Sequence, residues 1–156
     1  MMYLAMKTLH IVSSTILFGT GIGTAFFMWM ANRSGNRSAI TVVTGHVMRA
    51  DLYFTTPAVV VQPLSGFSLM LMAGYPLDFT SPNWLGVSVL LYCVAGACWL
   101  PVLWLQWKMH RMAVSSPPES PLPARYWRYE KLWVLLGIPA FFSLVVVFWL
   151  MTAKPF

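Results

Sequence analysis

Four stretches of this chain, Thr8 to Asn32, Leu52 to Leu77, Phe79 to Trp107 and Leu132 to Ala153, contain no Asp, Glu, Lys or Arg. Each is longer than the roughly 20 mostly apolar residues that carry a helix across the hydrocarbon of a bilayer. A lone segment in lipid must satisfy its backbone polar groups internally, so each stretch is predicted to be helical. The short alternating segments of a membrane barrel are missing. With 58% hydrophobic and 9% charged residues, the 156-residue chain has no room for a soluble domain. The expected fold is all-α: a polytopic four-transmembrane-helix bundle, a single membrane domain over 1–156. Its helices are predicted over about 3–30, 41–73, 84–112 and 125–152, with a proline-rich cytoplasmic linker over 115–123.

The charges then orient the bundle. Of ten Lys and Arg residues, Arg33, Arg37, Arg49, Lys108, Arg111, Arg125, Arg128 and Lys131 fall in or beside the first and third connections, whereas the second carries only Asp78. By the positive-inside rule the basic connections are cytoplasmic, and both termini and the Gly74 to Asn83 loop lie on the outer, periplasmic side. The net charge of +6 is therefore read as topology and not as an affinity for nucleic acid. The aromatic and basic run Arg125-Tyr-Trp-Arg-Tyr-Glu-Lys131 suits a helix arriving at anionic headgroups of the lipid bilayer. The first apolar stretch exceeds a signal-peptide core and is read as a retained helix. Cys93 and Cys98, five apart, are poorly placed to pair along one helix and read as small buried residues.

Prolines and glycines punctuate the helices. Pro57 and Pro63 in the second helix each remove a backbone donor, so that helix is expected to kink, with Gln62 turned to the bundle interior. Pro101 and Pro139 lie inside the third and fourth. Gly19 and Gly23 form a Gly-x-x-x-Gly pair that permits close helix approach, including a homo-oligomer contact. Gly-Thr-Gly-Ile-Gly lacks the strand and lysine of a phosphate loop. No inverted repeat of transporter scale is visible.

The candidate chemistry centres on His10, an ionisable residue inside the first span. Intramembrane ionisable groups are costly and usually functional, and neutral imidazole is a standard axial ligand for haem iron between bundle helices. The alternative is a histidine near the headgroups hydrogen-bonded to a serine. Ser13, Ser14, Gly21 and Thr24 share its helical face, and Met70, Met72 and Met151 are candidate second ligands in the outer layer. The metal reading rests on His10, with Ser14 and Met70 as cofactor-binding neighbours. His46 and His110 fall at the other end of the spans, where they could meet each other, but no carboxylate or cysteine set accompanies them for zinc. No hydrolase triad is visible.

The ordered motifs Lys7-Thr-Leu-His-Ile11, Leu52-Tyr with Thr56-Pro-Ala58, Trp84-Leu85, the Pro139 helix and Lys154-Pro-Phe156 together resemble the HemJ-type protoporphyrinogen oxidase superfamily, and most closely a branch of predicted integral membrane proteins related also to CopD-type copper-resistance proteins. The resemblance implies a bacterial inner-membrane location, haem b at His10 and a redox or electron-transfer role on a small lipophilic substrate. The chain departs from it at two places. Ser88 stands where HemJ has a functional lysine, and Leu136 and Gly137 stand where it has an Asn-Glu pair. Two other readings stay open: a non-enzymatic assembly or transport component, and copper handling through Met and His.

Overall fold

A computed structural model describes residues 1–75, 83–117 and 119–155. Asp78, Pro118 and Phe156, which figure in the sequence reading, lie outside the described residues. The described chain is helical, with no strand: α1 spans Met2–Ser34, α2 Arg37–Ala50, a π turn Asp51–Thr55, α3 Thr56–Met72, α4 Trp84–Ser115 and α5 Ala124–Ala153. Arg37–Met72 forms one continuous rod, so the chain holds four helices long and apolar enough to cross a membrane. The all-α, four-span fold expected from the charge-free stretches is the fold observed.

The helix ends follow capping chemistry more than apolarity. The first connection shrinks from the expected ten or so polar residues to Gly35 and Asn36. Gly35 takes a left-handed φ of 65°, and the Asn36 side chain accepts from the Ala39 amide at 3.1 Å. Asn32, expected in that loop, is instead buried at the end of α1, where its Oδ1 accepts from the Tyr126 hydroxyl at 2.7 Å. Asn83 caps α4 by accepting from the Gly86 amide at 2.7 Å. Arg37 donates through Nη2 to the carbonyls of Ala113 and Ser116, both at 3.3 Å, and so finishes α4 with a cation at its negative end.

Two of the prolines, Pro57 and Pro63, have a visible compensation. Pro57 can give no N–H to the preceding turn, and the chain widens there into the π turn, with the Thr56 amide and hydroxyl both donating to the Asp51 carbonyl. Pro63 leaves the Val59 carbonyl without its helical donor. The Tyr92 hydroxyl on α4 supplies one at 2.7 Å, so the orphan carbonyl becomes a link between helices.

Helix α1 packs on α2 and α3, α4 on α2 and α5. The end carrying Arg33, Arg37 and Lys108 is well filled, by Met28, Ile40, Val47, Leu105, Met109 and Tyr126. Leu122, in the proline-rich linker, is buried in the same cluster, which holds that linker against the bundle. At the opposite end, where both termini lie, Lys154 sits over the Tyr75 and Trp84 rings at 5.8 and 5.6 Å and ties α5 to the facing ends of α3 and α4. Between the two ends, α1 and α5 meet mainly through Phe18, stacked on Phe141 at 5.3 Å and edge-on to Phe148 at 5.0 Å. Gly19 and Gly23 have no atom within 4 Å of an added Cβ, so no helix of this chain uses the close approach their spacing permits.

Candidate functional site

Two polar clusters lie inside the spans, and they are built differently. In the first, His10 turns inward from α1 onto α3. Its Nδ1 is 2.8 Å from Ser65 Oγ and its Nε2 is 3.1 Å from the Gln62 amide nitrogen. Ser65 spends its single hydroxyl proton on the Val61 carbonyl at 2.7 Å, so Nδ1–H donates to Ser65 and Nε2 accepts from Gln62. The remaining edge of the ring, Cε1, lies where a Cβ on Gly66 would be 3.1 Å away. The expectation that Gln62 faces the interior holds. The hydroxyl at the ring belongs to Ser65 and not to Ser14, whose Oγ donates to the Ile11 carbonyl of its own helix at 2.8 Å. Ser13 donates across to the Ala58 carbonyl at 3.2 Å. Met70 is buried on α3, while Met72 and Met151 are exposed.

A porphyrin iron bound at His10 would need a ring nitrogen with a free lone pair, and this arrangement offers none. Both nitrogens already have partners. The bundle's large cavity, described next, carries no His, Met or Cys on its walls. The residues around His10 therefore do not fit a haem as they stand.

His46 and His110 do not pair. His46 is exposed, whereas His110 lies against Gly45, at 3.0 Å from a Cβ built there, and its Nδ1 is 3.0 Å from Thr44 Oγ1. Among the described residues no three His, Cys, Asp or Glu side chains converge, and Cys93 and Cys98 are free.

The second cluster was not singled out in the sequence. Asp51, at the start of the π turn, is only 4% exposed in the interior of the Arg37–Met72 rod. Its Oδ1 accepts from the Thr55 hydroxyl at 2.7 Å, and Gln106 of α4 lines the same cavity. Gln106 Oε1 is buried and unpartnered, on a residue 3% exposed. The signal was present: an acid bordering a charge-free stretch, in a helix that had to begin about ten residues earlier, is an acid within a span.

Asp51, Thr55 and Gln106 form the polar corner of a cavity of about 480 Å³. Its other walls are apolar and aromatic: Leu17, Phe18 and Trp29 from α1, Tyr92 and Trp99 from α4, Trp133 and Phe141 from α5. The indole Nε1 atoms of Trp99 and Trp133 are buried there without acceptors. Gly21, Gly96 and Gly137 also line the cavity, and a Cβ on any of them would meet nothing within 4 Å. Ile22, Ile138 and Phe142 line it while remaining exposed on the bundle's outer surface, so the cavity opens sideways between α1 and α5. Gly137, one of the two departures from the HemJ pattern in α5, is part of that opening.

The chain belongs to the family described as predicted integral membrane protein (DUF2269), which matches residues 4–155. No curated protein and no solved structure matches it.

Proposed function

We propose that this membrane protein receives a small lipophilic molecule from the bilayer through the opening between α1 and α5 and holds its polar end at Asp51, Thr55 and Gln106. The observation that carries this reading is the union of a lipid-facing apolar cavity with buried, unpartnered polar atoms on its wall. Binding sites have this composition: apolar walls with a few convergent polar groups. A buried polar atom without a partner costs roughly 1–3 kcal/mol, a cost a ligand can relieve. The inner-membrane setting and the cytoplasmic placement of the basic end belong to the same reading, supported by the distribution of Lys and Arg.

The test is binding in lipid nanodiscs of a bromobiphenylmethanol, whose bromine quenches tryptophan on contact. Saturable quenching is expected. Gly137→Leu, on the cavity wall where an added Cβ meets nothing within 4 Å, is expected to abolish it, and Gly19→Leu, on α1 outside the cavity, to leave it intact. Non-saturable partitioning that is the same in all three proteins would reject the reading.

The redox alternative, haem b at His10, is supported by the resemblance to HemJ and by the inward aim of the imidazole. It requires the ring to give up Gln62 or Ser65. A visible spectrum of protein purified from haem-supplied membranes decides it: a Soret band that His10→Ala removes would establish haem, and its absence would leave the cavity reading alone.

A further inference from the structure

Resting on the cavity reading, we infer that the molecule held there is a lipophilic amine whose ammonium nitrogen bonds Asp51 and Gln106 Oε1 together. The inference starts from charge. Asp51 accepts a hydrogen bond from the Thr55 hydroxyl and has no cation beside it. Among the described residues no Lys, Arg or His lines the cavity. Four of the basic residues toward that end are engaged elsewhere: Arg33 lies 4.9 Å from the centre of the Trp29 ring, Arg37 caps α4, and Lys108 and Arg111 lie 4.8 and 5.0 Å from the Trp107 ring. A carboxylate buried in an apolar site is stabilised chiefly by an opposite charge, and the chain provides none.

Geometry narrows the class further. Beside the carboxylate sits a second acceptor, Gln106 Oε1, which is nine-tenths buried on a cavity-lining residue and lacks a donor. A single group that serves both acceptors must supply two N–H or O–H bonds. A hydroxyl has one, whereas a primary ammonium has three and carries the missing charge. The remaining walls suit the rest of such a molecule. Trp99, Trp133 and Tyr92 present aromatic faces, which attract cations and pack apolar rings. The two unpartnered indole N–H groups leave a place for an acceptor on the same ligand.

The experiment compares two ligands of one shape, bromobiphenylmethylamine and bromobiphenylmethanol, in nanodiscs of neutral lipid, by tryptophan quenching. The amine is expected to bind at least about tenfold more tightly than the alcohol, a difference of about 1.4 kcal/mol. Asp51→Asn keeps the shape and one acceptor but removes the charge. It should erase the amine's advantage over the alcohol. Gln106→Met should weaken the amine by a smaller factor, since the charge pair remains. If amine and alcohol bind equally to the unaltered protein and Gly137→Leu abolishes both, the amine assignment falls and the cavity reading stands. If neither ligand saturates, both fall. The comparison of the two ligands on the unaltered protein decides the class even where Asp51→Asn fails to accumulate.

Discussion

His10 and Asp51 are both ionisable residues inside spans, yet the bundle treats them in opposite ways. Around His10 both ring nitrogens are taken, Nδ1 by Ser65 and Nε2 by Gln62, with Gly66 against Cε1. Around Asp51 the Thr55 hydroxyl bonds one oxygen, and Gln106 Oε1 and two indole N–H groups on other cavity-lining residues have no partner. The first arrangement is a clamp that fastens α1 to α3. The second has polar capacity left over and room in which to use it. Burial of a charged residue is thus a poor guide to function on its own: Gln62 Oε1 at the clamp is as buried and unpartnered as Gln106 Oε1, and what separates the two is the cavity that Asp51 lines.

That contrast can be broken by substitution, and the largest effect is expected at the clamp. Gln62→Leu leaves His10 Nε2 buried without a donor and should cost about 1–2 kcal/mol, read as a lower midpoint in denaturant unfolding from mixed micelles. An unchanged midpoint would mean that the clamp bears no weight. Next comes Gly66→Ala: the added methyl would sit 3.1 Å from a ring held at both nitrogens, with a loss of about 1 kcal/mol expected by the same unfolding assay. Tyr92→Phe strips the donor from the Val59 carbonyl that Pro63 left unserved, and should cost about 0.6 kcal/mol, the usual size for a hydrogen bond between membrane helices. The smallest change reverses sign. Gly96→Ala lies on the cavity wall with nothing near its Cβ, so helix propensity alone acts and stability should rise by about 0.5 kcal/mol. If Gly96→Ala destabilises as much as Gly66→Ala does, the two regions do not differ in the way described.

The spans were legible because lipid imposes a single rule, and the charge-free stretches state it directly. Their ends were less so. The Asn36 cap and the left-handed Gly35 close the first connection within two residues, and the hydrogen bond from Tyr126 draws Asn32 into the bundle; both depend on side-chain geometry that apolarity does not report. His10 was visible as an ionisable residue in an apolar run, and Gln62 as a polar residue that had to face inward. Their meeting was not, because it joins positions 52 residues apart and depends on how α1 packs on α3. Asp51 was missed for a simpler reason. It sits at the edge of a charge-free stretch, so a reading of the gaps between charges treats it as a boundary and not as an occupant. Gln106 could be recognised only from its neighbours, since an amide near a helix end is ordinary until the structure shows one of its atoms unpartnered.

The π turn at Asp51–Thr55 has a mechanical consequence. A π turn is an extra residue accommodated within an α-helical rod, and one residue corresponds to about 100° of rotation. The turn therefore works as a phase offset, letting the first part of the rod present Asp51 to the cavity while the second presents Gln62 and Ser65 to α1. Deleting a single residue from it would turn one of these faces toward the acyl chains, so the two polar clusters cannot both be kept by a uniform helix of the same sequence.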